Sequence, residues 1–223
     1  MIPWEHLDSA TVPGDGLDLR LMRRGSEYSI MAGAIELMNS RLSGSEEAMA
    51  TLACARIGQR PGARVLIGGL GMGFTLRAAL AAFAPDADIV VAELVPAVIA
   101  WARGPLAGLQ GASLDDPRVS LHTGDVGALI RADDAQFDAI LLDVDNGPGG
   151  LSRKGNDSLY DHVGLAAARK ALSPGGVLEV WSSTRDSAFT HRLKRSGFAV
   201  EEVGVRAHKG RGARHVIWVA TKA

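Results

Sequence analysis

The chain has 223 residues, 47% hydrophobic and 22% charged, with 24 Lys and Arg against 25 Asp and Glu. That apolar content, without a low-complexity tract, suffices for one sizeable core and excludes disorder as the dominant state; the length fits one full domain with a small appendage. A formal charge of -1 excludes the broad basic surface of a protein devoted to nucleic acid, so any basic patch is local.

The opening residues MIPWEHLDSATVPG hold no basic stretch followed by an apolar run. The longest uninterrupted apolar stretch, Ala78 to Ala84, falls far short of the ~20 residues a membrane span needs. A cytoplasmic protein is expected. LDLRLMRR and EYSIMAG then flank the turn signal Gly25-Ser26, which predicts a short N-terminal β-hairpin appendage over residues 1–43. Helical spacing starts at Ser45, with Ala48, Met49, Leu52, Ala53 and Ile57 on one face. The single cysteine, Cys54, lies within this packed pattern and reads as core.

From there apolar strands alternate with helices: RVLIG and TLRAALAAF, DIVVAE and PAVIAWAR, RVSLH and VGALIRA, FDAILLD and LYDHVGLAAARKAL, GVLEVWS and SAFTHRLKRS. Short strands with little polar alternation, interleaved with helices, predict an α/β doubly wound parallel sheet covered on both faces, filling residues 44–223. The last two strands, FAVEEVGVRA and RHVIWVATK, are joined through KGRG without a helix and must pair as a C-terminal antiparallel hairpin. His122 and His162 stand without a second His or Cys at ligand spacing, so no metal is expected.

RVLIG runs into Gly69, Gly71 and Gly73, which open a helix near Phe74. A tight glycine turn there lets a nucleoside approach the backbone at the positive end of the helix. The next strand ends in Glu93, roughly 20 residues on, where an acid accepts hydrogen bonds from ribose hydroxyls. Gly124 and Asp125 follow the third strand; the Asp125 carboxylate suits an adenine amino group or a helix N-cap, two compatible roles. The fourth strand delivers Asp143 to the same edge, ahead of a glycine-rich loop. Arg206, His208, Lys209, Arg211, Arg214 and His215 cluster around the final hairpin turn, on that edge, where a small acidic acceptor or a phosphate is a possible visitor to what reads by default as a solvated loop.

On VLIGGLGMGFTLR, VAELVP, GD at Asp125, FDAILLDVDNGP and ALSPGGVLEVW, the chain resembles spermidine-synthase-like proteins of the class I S-adenosylmethionine-dependent methyltransferase superfamily from about Leu17 to its end. The resemblance implies a Rossmann-like seven-stranded sheet with a terminal antiparallel hairpin, preceded by a shortened small β domain. It implies a nucleoside site at Gly69, Gly71, Met72, Gly73, Glu93, Leu94, Asp125, Val126 and Asp143, with Asp143 as base or orienting group. Asp145, Asn146, Glu47, Tyr160 and Trp181 are placed on the acceptor side.

Departures from the synthase pattern bear on the reaction. The acid of the loop GGGDG, which holds the donor's aminopropyl ammonium, is Met72 here, and the second acid of D-x-x-D-P is Asn146. The synthase Tyr-His-Glu stretch aligns approximately with Ser45, Glu46 and Glu47. Losing an acid that pairs with a buried ammonium costs about 2 to 5 kcal/mol. The leading expectation is therefore methyl transfer from S-adenosylmethionine to a small acceptor. The alternatives are aminopropyl transfer from decarboxylated S-adenosylmethionine, in the manner of polyamine synthases, and a nucleoside-binding module without catalysis. A homodimer is a further expectation, and nucleic-acid or membrane partners are not.

Overall fold

The computed structural model describes residues 2–144, 147, 148, 154–208 and 211–223, with the backbone alone at 154–156 and 211. The first part of the chain forms an antiparallel sheet of four strands in sequential order, β1 (Glu5–Thr11), β2 (Asp18–Arg24), β3 (Glu27–Ala32) and β4 (Ile35–Asn39). The expected hairpin is its centre, with Arg24 opposite Glu27 across Gly25-Ser26. β1 and β4 go beyond the expectation. Their residues are mostly exposed, so neither strand carries the apolar alternation that marks β2, where Leu19 and Leu21 are buried between exposed Asp18 and Arg20.

The main sheet contains β5 (Arg64–Gly68), β6 (Asp88–Glu93), β7 (Val119–Thr123), β8 (Phe137–Leu142), β9 (Leu172–Ser182), β10 (Phe198–His208) and β11 (Arg211–Lys222). Their order is β10-β11-β9-β8-β5-β6-β7, parallel from β9 to β7, with β11 antiparallel to both β9 and β10. The helices are α1 (Gly44–Ile57), α2 (Phe74–Ala82), α3 (Pro96–Arg103), α4 (Ala107–Gln110), α5 (Val126–Arg131), α6 (Lys154–Tyr160), α7 (His162–Ala171) and α8 (Ser187–Arg195). The single helix expected over LYDHVGLAAARKAL is split at Asp161, whose side chain accepts from the Gly164 N–H at 2.7 Å and caps α7.

Side-chain alternation along β5 shows why the strands lack polar positions. Val65 and Ile67 join one apolar cluster with Met49 of α1, Leu76 of α2 and Trp101 of α3, whereas Leu66 joins another with Ile130 of α5, Leu165 of α7 and Phe189 of α8. Both faces are covered, as the sequence predicts. The N-terminal sheet belongs to the first cluster through Val12, Leu19, Leu21 and Ile30, and Asp8 of β1 accepts from the Trp101 indole N–H at 2.7 Å. Cys54 is buried in that cluster, its thiol donating to the Ala82 carbonyl at 3.1 Å. One polar residue breaks the apolar rule. Glu179 of β9 is fully buried between Leu141 and Val219, and burial holds its carboxyl well above the ordinary range.

β5 is flanked by β6 on one side and β8 on the other, so the connections leave it in opposite directions. The crevice this opens at the strand carboxyl ends is where open α/β sheets bind ligands. Among the described residues no helix is long and apolar enough to cross a membrane.

Candidate functional site

A pocket of about 260 Å³ lies in this crevice. Its floor is made by the turns after the parallel strands: Gly69 and Gly71 after β5, Glu93 and Leu94 after β6, Asp125 and Val126 after β7, and Asp143 after β8. Trp181 at the end of β9 and Glu46 of α1 close one side. The roof comes from the N-terminal sheet, where Leu19, Ile30, Ile35, Leu37 and Met38 present an apolar surface to the crevice.

The glycine turn divides its tasks. Gly69 has φ 90°, and a Cβ there would stand 2.4 Å from the Asp143 carbonyl oxygen, so this position keeps the turns after β5 and β8 in contact. Gly73 has φ 74° and caps α2, but the space it leaves holds the Gln110 side chain, 2.0 Å from where a Cβ would be. Gly73 is therefore absent from the pocket lining. So is Met72, whose side chain is fully buried in the core, since an apolar chain gains more by packing under the turn than by facing the crevice. Of the four loop residues expected at the nucleoside, Gly69 and Gly71 line the crevice and Met72 and Gly73 do not.

Glu93 is 7% exposed and reaches the crevice, as the ribose reading requires. Its Oε2 accepts from the Leu70 N–H and its Oε1 from the Val95 N–H, each at 2.9 Å. Burial pushes its pKa up and these backbone donors oppose the shift. The Gly71 and Leu94 N–H groups also favour the carboxylate form. Asp125 has the helix N-cap role expected of it. It lines the crevice and caps α5, with Oδ1 accepting from the Gly127 N–H at 2.9 Å.

Asp143 stands opposite, its Oδ2 accepting from the Thr75 hydroxyl at 2.8 Å. Burial raises its pKa to about 7; the nearby Glu46 carboxylate adds to the rise and the Thr75 hydrogen bond opposes it. The Glu46 carboxyl is itself raised by burial and accepts from the Ser45 hydroxyl at 2.7 Å. Ser45 Oγ lies 3.0 Å from His215 Nδ1, and the His215 ring packs edge-on against Trp181 at 4.8 Å. Burial pulls the His215 pKa down.

The pocket lining differs from the acceptor-side expectation at two residues. Glu46, not Glu47, lines the pocket, because one residue along a helix turns the side chain by about 100°. Tyr160 is buried on the opposite face of the sheet, edge-on to Phe189 at 5.7 Å, and is absent from the lining; α6 packs its aromatic ring into the second core. Asp145 and Asn146 lie outside the described residues. Thr75 and the roof residue Met38 were not anticipated as parts of the site, nor was the pairing of Ser45 with His215. Of these, Thr75 carried a signal, being the polar residue in the first turn of a helix that opens on the glycine loop.

The described lining contains four carboxylates, Glu46, Glu93, Asp125 and Asp143, and no Lys or Arg. Such a crevice favours a cationic ligand. Among the described residues no group of three or more His, Cys, Asp and Glu is arranged to hold a metal ion.

Comparison with known proteins gives the family and the fold. Residues 46–192 match the family model described as the spermine/spermidine synthase domain. The polyamine aminopropyltransferase of Nitrosomonas europaea is 40% identical over 92 residues, covering 41% of this chain and 27% of that protein. Putrescine N-methyltransferase 2 of Nicotiana tabacum is 35% identical over 116 residues, covering 52% of this chain and 31% of that protein. The aligned stretches thus span less than a third of either relative. In fold, spermidine synthase from Thermotoga maritima superposes with a TM-score of 0.73 over 98% of this chain and 72% of that chain, at 18% identity.

Proposed function

Because the chain belongs to the spermine/spermidine synthase domain family, we propose that its acidic crevice transfers an aminopropyl group from decarboxylated S-adenosylmethionine to an amine acceptor. The observation that carries this reading is the charge of the lining: four carboxylates and no cation among the described residues. The decarboxylated donor bears a sulfonium and an ammonium and no negative group. S-adenosylmethionine itself brings a carboxylate, and the turn that would hold it has already used several donors. The Gly69 N–H goes to the Ala92 carbonyl at 2.8 Å, the Leu70 N–H to Glu93 and the Gly73 N–H to the Leu70 carbonyl at 2.8 Å. The inference from Met72 to methyl transfer weakens for the same reason, since Met72 is packed in the core and Glu46 and Asp143 supply acids from other elements.

The sulfonium supplies an activated carbon and departs with the C–S electron pair as a neutral thioether, so the protein has to hold, align and deprotonate. Glu93 holds the ribose diol and Asp125 the base edge. The acceptor amine attacks only when neutral. Asp143, with a pKa near the working range and its carboxylate fixed by Thr75, takes the proton as the new N–C bond forms and the C–S bond breaks. The apolar roof keeps water from the activated carbon.

A second reading, methyl transfer to an amine, draws on the 35% identity to putrescine N-methyltransferase 2 and on the absence of an acid at Met72. Calorimetry and product analysis with both donors and a panel of diamines separate the two. Tighter binding of the decarboxylated donor with aminopropylated product supports the first reading, and methylated product replaces it with the second. Donor binding without product across the panel overturns both in favour of a nucleoside-binding module.

A further inference from the structure

The hairpin of β10 and β11 gathers positive charge that the acidic crevice does not use. Val216 pairs with Ser182, which sets the root of the hairpin at the carboxyl end of β9. A second cavity of about 550 Å³ opens there, with Thr184, Arg185, Gly204, Arg206, Arg214 and His215 in its wall. Arg206 and Arg214 are direct cross-strand partners. Like charges placed opposite each other in an antiparallel pair are destabilising. Arg185 adds a third guanidinium, its Nη2 lying 4.0 Å from the point where Gly204 would carry a Cβ.

Several arginines elsewhere sit on carboxylates, Arg23 on Glu5, Arg24 on Glu27, Arg60 on Asp138 and Arg118 on Asp116, and others, Arg20 and Arg192 among them, donate singly to backbone carbonyls. Among the described residues none of Arg185, Arg206 and Arg214 has a carboxylate partner, and no acid lines the cavity. Arg206 donates to the Gly212 carbonyl at 3.1 Å, which fixes the side chain without neutralising it. A sheet that brings three guanidiniums to one concavity and leaves them uncompensated is built for an anion that arrives from outside.

We propose that this cavity binds a small phosphate-bearing molecule, its oxygens shared among Arg185, Arg206 and Arg214. Guanidinium forks match phosphate oxygens bidentately, which a solvated lysine face does not. The volume falls in the range of small-molecule sites. The anion offsets the Arg206–Arg214 repulsion, and His215 and Trp181 form the partition between this cavity and the acidic crevice.

The proposal is independent of the transferase reading and is tested by binding alone. The full-length chain is titrated with pyrophosphate by calorimetry, and its thermal unfolding is followed with and without the anion at constant ionic strength. Wild type is expected to bind and to unfold at a higher temperature when pyrophosphate is present. Arg185→Gln and Arg214→Gln each weaken binding by about tenfold or more, and Arg214→Lys, which keeps charge without the fork, falls between. Arg103→Gln, remote from the cavity, leaves affinity unchanged. Without anion, Arg214→Gln unfolds at a higher temperature than wild type, the opposite of a lost structural contact. No binding by wild type overturns the proposal, as does equal affinity in Arg185→Gln and Arg214→Gln. Binding confined to a long polyanion such as single-stranded RNA, weakened equally by Arg103→Gln, overturns it in favour of a diffuse electrostatic surface.

Discussion

Glu93 ends one of the strands that flank β5 and Asp143 directly follows the other; burial raises the pKa of both, but the groups around them differ. Glu93 receives two backbone N–H groups, from Leu70 and Val95, which oppose the upward pKa shift that burial imposes without cancelling it. Asp143 receives one hydroxyl and faces the Glu46 carboxylate, so its ionised form is opposed both by burial and by repulsion. Under the proposed function, one sequence pattern, an acid at the close of a buried strand, serves in one place to hold a ligand and in the other to exchange a proton. What separates them is the number of fixed donors each turn offers.

The sharpest way to break this contrast is Asp143→Asn, expected to lower kcat by about 10² to 10⁴ with little effect on donor affinity. The same change should stabilise the fold at alkaline pH. The folded pKa of Asp143, about 7, exceeds its ordinary value of 3.8, so between those values the native state binds more protons than the unfolded state and stability falls as pH rises. The gain from Asn is therefore larger at pH 8 than at pH 5, on the order of a few kcal/mol, and denaturant unfolding at the two pH values measures it. Wild-type turnover should rise with pH and level off above about 7. A flat profile would remove Asp143 as the base.

Glu93→Gln tests the other side. An amide oxygen replaces only one of the two acceptors, leaving the Leu70 or Val95 N–H unpaired at a cost of about 1 to 3 kcal/mol, and the diol loses its charged partner. Both stability and donor affinity should fall, with kcat less affected at saturation. Glu46→Gln is expected to act on Asp143 from a distance. With the repulsion gone, the acid limb of the pH profile moves to lower pH while the alkaline plateau is largely kept. Thr75→Val should do the reverse and least, removing one hydrogen bond that favours the carboxylate and moving the same limb slightly upward.

The main sheet was legible because its strands are apolar on both faces and its helices alternate with them, a pattern that leaves few topologies open. The terminal hairpin followed from a connection too short to cross the sheet. The outer strands of the N-terminal sheet were hidden, because β4 exposes Ile35, Glu36 and Leu37 alike and offers no alternation to read. In the site, Gly69, Glu93 and Asp143 were found from strand–turn position, which sequence spacing records. Glu46 and Thr75 were missed or misplaced by one residue because their part depends on helix rotation against the crevice. Tyr160 packs in the second core and not in the crevice lining, because an aromatic near the fourth-strand loop carries no mark of which face of the sheet it will enter. Asp145 and Asn146 lie beyond the described residues.

The roof over the crevice has its own consequence. Met38 comes so close to Gly71 that a Cβ there would lie 2.5 Å from the methionine methyl, and the sheet bearing Met38 is tied to α3 through Asp8 and Trp101. A molecule lodged beneath it is enclosed by parts drawn from the first forty residues as well as from the strand ends. The fit of such a molecule therefore depends on residues far apart in the sequence, brought together only once both sheets have formed.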